Sequence, residues 1–443
     1  MNVLLVRPKP DKKTINLQSF MICEPLELEY LAAYLQESGH AVNIVDLILE
    51  DKPLSTFLEQ FRPQLVGFTA YLPHVGIVKA LAAEAKAFDP GIITVVGGIH
   101  AEVCPQDLVD ACIDHVAAAN GMELIAALAD GRLLPTTSEK QTTFDYPYPD
   151  RGLTARYRHR YSYIFHERCA TIKTSFGCPY NCAFCFCARI TDGRYFCREL
   201  DSVIAEMQQI EEQNVFIVDD NFLFNQERVE AFCHLMAEHG IRKRFILFGR
   251  ADFIAEHPDT MRLLRQTGLD AVFVGVESFR QDELEAYDKR TTVEVNRAAA
   301  AVLEENGILF YCGLMVSNDW SRQDFDGLIE YMRSFSYPFV NIQPVTPMPG
   351  TPFYESVKEQ MATARKRPEL WDMAHLLLPP TKMSEREFYR NIVRAYRKIS
   401  LRPRMHLFVL RRFGLKVYLR TFQGVIAIYK QYRELMAKGC LFT

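Results

Sequence analysis

Three cysteines in the run Thr174-Ser-Phe-Gly-Cys-Pro-Tyr-Asn-Cys-Ala-Phe-Cys185 are spaced to share one metal centre: Cys178, Cys182 and Cys185, separated by four and three residues. Intervals this short let all three thiols converge from a single loop. An iron–sulfur cubane ordinarily takes four thiolates. Three leave one iron open to another ligand, by the logic that separates an open catalytic zinc site from a closed structural one. Two plainer readings compete. A structural zinc with Cys187 as fourth ligand would crowd all its ligands into one short loop, whereas such sites usually pair two knuckles across a longer span. A cluster of ordinary buried cysteines fits poorly with the Gly177-Cys178-Pro179 turn. Cys187 reads better as a neighbour of the centre than as a ligand.

Further polar residues fall where apolar runs end. Asp219 and Asp220 follow Val215–Val218, Arg250 follows Phe245-Ile-Leu-Phe-Gly249, and Glu277 ends Val272-Phe-Val-Gly-Val-Glu. An aspartate after a buried strand can simply cap the next helix. Four such residues at the ends of consecutive strands point instead at one cavity, with Asp219 and Asp220 as candidate catalytic groups.

The elements that must position these residues are legible as alternating patterns. Apolar runs at Val3–Val6, Ala41–Val45, Leu65–Phe68, Ile92–Val96 and, weakly, His115–Ala118 are separated by helical stretches such as Leu26–Glu37 and Gly76–Ala87. This alternation predicts parallel βαβ units in a doubly wound sheet, which binds ligands at the carboxyl ends of its strands near the switch point. A Pro-, Tyr- and Arg-rich connector follows over 134–168. A second alternation has runs at Ala170–Thr174, Val215–Val218, Phe245–Phe248, Ala271–Val274, Ile308–Val316 and Phe339–Ile342, with helical patterns between them. Six βα units are too few for an eight-stranded barrel. The expected α/β architecture is a Rossmann-like domain over 1–133, a partial barrel over 169–351 and a helical region over 352–443.

A chain of 443 residues suits about three domains. Its 49% hydrophobic and 24% charged residues are ordinary for a globular protein, and the net charge of −4 argues against general attraction to nucleic acid. Twelve cysteines, sparse outside 169–197, do not form a secreted disulfide framework. The N-terminal apolar run breaks at Arg7 without a cationic lead, so no signal peptide is expected, and no stretch approaches the ~18–20 apolar residues of a membrane span. The expected location is cytoplasmic. The tail departs from the overall balance: 394–433 holds eleven Lys/Arg, no Asp or Glu, and interleaved apolar residues. It is expected to form amphipathic helices, either as a layer packed on the barrel, as a lid over an anionic substrate, or as a peripheral membrane contact.

The Cys-x3-Cys-x2-Cys motif, with Phe184 before its last cysteine, resembles the signature of the radical S-adenosylmethionine (SAM) enzymes. That resemblance implies a (β/α)6 partial TIM barrel and a [4Fe–4S] cluster on Cys178, Cys182 and Cys185. The open iron would chelate SAM, cleaving it to a 5′-deoxyadenosyl radical with an electron from a donor such as flavodoxin or ferredoxin. It further implies SAM contacts from Phe184, Arg250 and Glu277. The front domain, through Glu24-Pro-Leu-Glu-Leu-Glu-Tyr-Leu, Val66-Gly-Phe-Thr-Ala-Tyr71 and Val96-Gly-Gly-Ile-His-Ala-Glu, is similar to the cobalamin-binding domain of one radical SAM class. The likeness assigns Thr69, Tyr71, Gly97, Gly98 and His100 to the cofactor. The first histidine of the chain is His40, so the loop from Arg7 to Cys23 offers no histidine to cobalt. The function implied is cobalamin-dependent methylation of an unactivated carbon on a small molecule, which could be anionic, sugar-like or a lipid. The alternative is a radical dehydration, rearrangement or cyclisation without methyl transfer.

Overall fold

The computed structural model describes residues 1–132, 144, 146–361, 364–438 and 440–442. Five parallel strands open the chain: β1 (Asn2–Arg7), β2 (Ala41–Asp46), β3 (Leu65–Thr69), β4 (Ile93–Gly97) and β5 (His115–Val116). They lie in the order β2-β1-β3-β4-β5. Their apolar runs are continuous because both faces are covered. Val3 and Leu5 pack with Leu28, Ala32, Leu35 and Ile125 on one side; Leu4 and Val6 pack with Phe57, Leu58, Val78 and Ala82 on the other. The strand order reverses between β1 and β3, the switch point where doubly wound sheets take their ligands.

The second sheet consists of β6 (Cys169–Ile172), β7 (Asn214–Ile217), β8 (Arg244–Gly249), β9 (Leu269–Glu277), β10 (Leu309–Val316) and β11 (Phe339–Pro344). These strands are parallel and adjacent in chain order, with β6 and β11 at the two edges, so the barrel is partial as expected. Successive side chains alternate between its two faces. Val215, Ile217, Phe245, Leu247, Val272 and Val274 pack under the outer helices. Phe216, Ile246, Ala271, Leu309 and Tyr311 turn inward, where Tyr163 and Phe165 meet them. The outer helices Leu200–Gln209, Gln226–Glu238, Pro258–Thr267, Val293–Glu305 and Arg322–Arg333 fall between successive strands, as the alternation predicts.

Residue 133 and, of the expected connector, residues 134–143 and 145 lie outside the described residues. The rest is well built: a 3-10 helix over Arg151–Arg160, then Ser162–Tyr163 and His166–Glu167 paired with each other, the former also with Met21–Ile22. The tail forms the helix Glu385–Ser400 and a long helical stretch, Pro403–Lys438, broken at Gly414, whose φ of 78° and ψ of 172° are not helical. Its inner face packs on the barrel through Val409 and Val417. Three of its cations reach polar groups just before or at the start of barrel strands: Arg412 donates to Asp270 Oδ1 (2.6 Å) and to the Gly307 carbonyl (3.1 Å), while Lys416 and Arg420 each lie 3.4 Å from Glu167. The tail is therefore a layer docked at the N-terminal end of the barrel. Among the described residues, no helix is long and apolar enough to cross a membrane.

Candidate functional site

The cysteine loop leaves the end of β6 through Gly177, whose φ of +77° already favours glycine. A Cβ there would lie 2.1 Å from the Arg194 carbonyl oxygen, so no other residue fits. Backbone bonds pin the loop beyond it. Cys185 N donates to the Cys182 carbonyl (3.0 Å), Ala183 N to Tyr287 O (2.9 Å), and Phe353 N to Ala183 O (3.0 Å). Phe353, the second residue of the helix Pro352–Val357 that Thr351 caps, supplies the last of these anchors.

Asp219 is fully buried and accepts from Thr174 N (2.6 Å), Thr174 Oγ1 (2.6 Å) and Ser175 Oγ (2.7 Å). It ties the end of β7 to the start of the cysteine loop. Asp220 is exposed, accepts from Gly177 N (3.1 Å) and Lys173 Nζ (3.3 Å), and lies 3.6 Å from the Cys187 thiol. Cys187 in turn sits beside Cys185, and this thiol pair lowers the pKa of Cys185 while raising that of Cys187. Burial pushes Cys178 up to about 11.

Three charged side chains stand next to the thiols. Arg250 is held by Asp252 (2.7 Å) and the Lys289 carbonyl (2.8 Å), with its guanidinium 3.6 Å from the centre of the Tyr180 ring. Glu277 has a φ of +62° and pairs with Lys289 Nζ at 2.7 Å. Lys289, which sequence reasoning missed, is only 8% exposed. Burial lowers its pKa, but Glu277 and Cys182 raise it further, so it stays charged; burial raises the pKa of Cys182, and the Lys289 charge offsets only part of that rise. Phe184 packs edge-on against Tyr287 (5.6 Å) and under Lys289 (5.9 Å). The signal for Lys289 was weak: it lies in the loop after a short helix, twelve residues beyond its partner.

At the front-domain switch point, Arg7 closes β1 and Thr69 closes β3. Arg7 is locked to Asp46 and donates to the Cys23 carbonyl. Gly98 (φ +95°) lies so close to Thr69 and Ala70 that a Cβ would come within 2.9 Å of both, whereas Gly97 meets only ordinary contact. Tyr71 is 46% exposed on this edge. His100 is buried and bonded to Asp107 (3.1 Å), with Cys104 beside it. His74 was missed in the sequence: burial and the Arg7 charge lower its pKa to about 4, so it is neutral. Its Nδ1 accepts from Tyr71 N (3.4 Å). The helix Ile99–Val103 after the Gly-Gly turn packs on Cys187–Ile190, so the switch-point edge faces the cysteine loop.

The residues fit the groups that the resemblance implies. Three adjacent thiols flanked by Arg250 and Lys289 suit an anionic cluster, and a glycine-built edge at a switch point suits a bulky cofactor. A model of the B12 binding domain matches residues 12–129, and a model of the Radical SAM superfamily matches residues 172–332. The hopanoid C-3 methylase of Methylococcus capsulatus is 30% identical over 89% of this chain and 79% of its own length. The anaerobic magnesium-protoporphyrin IX monomethyl ester cyclase of Rubrivivax gelatinosus is 23% identical over 85% of this chain and 74% of its own. In fold, the chain is similar to the radical SAM methyltransferase TsrM of Kitasatospora setae, solved with cobalamin and a [4Fe–4S] cluster, at a TM-score of 0.67 and 18% identity over 99% of this chain and 100% of that one. The chain thus belongs to the radical SAM enzymes that carry a B12-binding domain, a family whose cofactors are a [4Fe–4S] cluster, SAM and cobalamin.

Proposed function

We propose that this enzyme methylates a carbon bearing no activating group. When bound, the cluster and SAM supply a radical able to remove an unreactive hydrogen, and cobalamin supplies the methyl group. The observation that supports the reading is the packing of the helix Ile99–Val103, just after the Gly98 turn of the front domain, on Cys187–Ile190, just after the cysteine loop of the barrel, which brings the two edges together. Its relation to a hopanoid methylase supports methyl transfer, while the cyclase relative keeps a second reading in view, radical ring closure without methyl transfer. Anaerobic enzyme reconstituted with iron, sulfide and cobalamin, then given SAM labelled in its methyl group, separates the two. Label moving to the corrinoid supports methylation; 5′-deoxyadenosine without any label transfer favours the cyclase-like chemistry.

In this reading, Cys178, Cys182 and Cys185 hold the cluster, and Asp220, exposed at the mouth, faces substrate while Asp219 positions the loop. The Glu277–Lys289 pair presents one anion and one cation, the complement of the ammonium and carboxylate of a methionyl group. Arg250, stacked on Tyr180, adds a second cation. Glu277→Ala and Arg250→Ala are each expected to weaken SAM binding by about 1.5–3 kcal/mol, the usual loss for a hydrogen bond to a charged group. Calorimetric titration of the iron-replete variants checks this, and unchanged dissociation constants would reduce both side chains to structural roles.

Cobalamin is expected to bind the Thr69–Tyr71 and Gly97–Gly98 edge without a histidine on cobalt. The loop from Arg7 to Cys23 has none, His100 is committed to Asp107, and neutral His74, with Nδ1 accepting, carries its proton on Nε2. Paramagnetic resonance of the Co(II) form should show no nitrogen splitting from a lower ligand. Such splitting would overturn the ligation, and failure to take up any corrinoid would overturn the site.

A further inference from the structure

Between the barrel and the tail lies a cavity of about 220 Å³. Its walls come from three parts of the chain: Phe273, Tyr311 and Phe339 from the barrel interior, Phe20 from the loop after β1, and Val409 and Phe422 from the tail. It exceeds the ~150 Å³ apolar cavity that accepts benzene, and it is open at one side. The cavity rises to Asn341, which strand register places beside Gly313, itself beside Gly275. Gly275 is where the Glu277–Lys289 pair lies, since a Cβ there would meet both side chains. The chamber therefore approaches the reacting centre from below. The Tyr311 hydroxyl on its wall is buried and has no hydrogen-bond partner among the described residues, a cost that a single polar group on a ligand would remove.

The outer face of the tail continues this apolar surface. Leu407, Leu410, Leu415, Leu419, Phe422 and Ile426 are each 39–60% exposed. Those in the second helix recur at intervals of four, three and four, which places them in one stripe. Phe422 belongs to both the stripe and the cavity wall. Exposed cations sit on the same face: Arg411 follows Leu407 by four, and Lys430 follows Ile426 by four. No acidic residue interrupts the stretch. An apolar stripe set among cations complements an anionic bilayer rather than an aqueous protein surface.

We propose that the tail rests on an anionic membrane, and that the chamber behind it receives the hydrocarbon part of an uncharged lipid drawn from that membrane. The inference rests on the methylation reading and names its substrate class. The full-length holoenzyme is tested with vesicles of phosphatidylglycerol and phosphatidylcholine, with and without dehydroergosterol as a fluorescent polycyclic probe. The expected result is sedimentation with the anionic vesicles, release in high salt, and at least a tenfold weaker association for Leu415→Asp/Leu419→Asp, which should still cleave SAM as wild type does. Probe uptake is expected in wild type, and at least tenfold weaker uptake in Val425→Trp, whose corrinoid content and unfolding midpoint show that it folds. Wild type that ignores anionic vesicles or the probe, or variants that match it in both, would overturn the proposal. Retained corrinoid and SAM cleavage in that event would leave the methylation reading standing, whereas loss of corrinoid binding would remove that reading first.

Discussion

Changing Cys178, Cys182 or Cys185 to Ala is expected to abolish reductive cleavage of SAM, while Cys187→Ala lowers it less than about tenfold. The asymmetry follows from position. The first three thiols lie on the loop that Gly177 makes possible and that Ala183, Cys185 and Phe353 backbone bonds hold in place. In the proposed assignment each would supply one of three ligands, and a cubane held by two would lose the arrangement that leaves one defined iron open. Cys187 begins the next short helix, and its thiol points to Asp220. Its contact with Cys185 tunes a neighbour without supplying a ligand, so its loss should stay below the ~10–100-fold typical of outer-shell partners. The measurement is 5′-deoxyadenosine formed per iron-replete chain under dithionite. Product from the triple variant, or loss in Cys187→Ala as deep as in Cys182→Ala, would refute the assignment.

The strands were legible because both sheets are covered on both faces. Burial forces continuous apolar runs such as Val3–Val6 and Phe245–Phe248, and these stand out against the polar segments around them. The cysteine motif stood out because a shared metal would impose a local spacing. What escaped was non-local. Lys289 meets Glu277 only because β9 ends in a residue at positive φ and the chain returns past a short helix. His74 reaches the environment of Arg7 through the turn after β3. The chamber is formed by side chains from residues 17 to 429, with no pattern that a linear reading could find. The basic tail was visible as a composition, but its division of labour was not. Arg404, Arg412 and Arg420 are spent on the Phe335 carbonyl, Asp270 and Glu167, whereas Arg411 is left on the outer face.

The network that joins the two sheets was also invisible, and it carries the largest expected stability effect. Glu206, on the helix Leu200–Gln209, is fully buried and receives Arg151 (2.8 Å), Arg198 (2.6 Å) and the Tyr30 hydroxyl (2.7 Å). Tyr30 belongs to the front domain, Arg151 to the connector and Arg198 to the barrel region. Glu24, equally buried, takes Arg158 (2.8 Å) and the Thr171 backbone N–H. Nearby Glu29 accepts from Thr154, and burial together with the Glu24 charge pushes it up to about 8, so it joins as a neutral carboxyl at pH 7. Glu206→Ala would leave Arg198 as a buried cation without its anion and Arg151 with only Glu24, 3.6 Å away. Breaking a buried pair in this way costs about 3–5 kcal/mol, a large part of the ~5–15 kcal/mol that holds a typical protein folded. Urea unfolding should show the midpoint falling accordingly, or the front domain melting ahead of the barrel as its tie is cut. A loss below about 1 kcal/mol with a single transition would contradict the network's role. The cost lies in the stranded charges more than in the missing contact. Glu206→Leu combined with Arg151→Met and Arg198→Met, which removes all three charges together, should therefore recover most of the stability that Glu206→Ala loses.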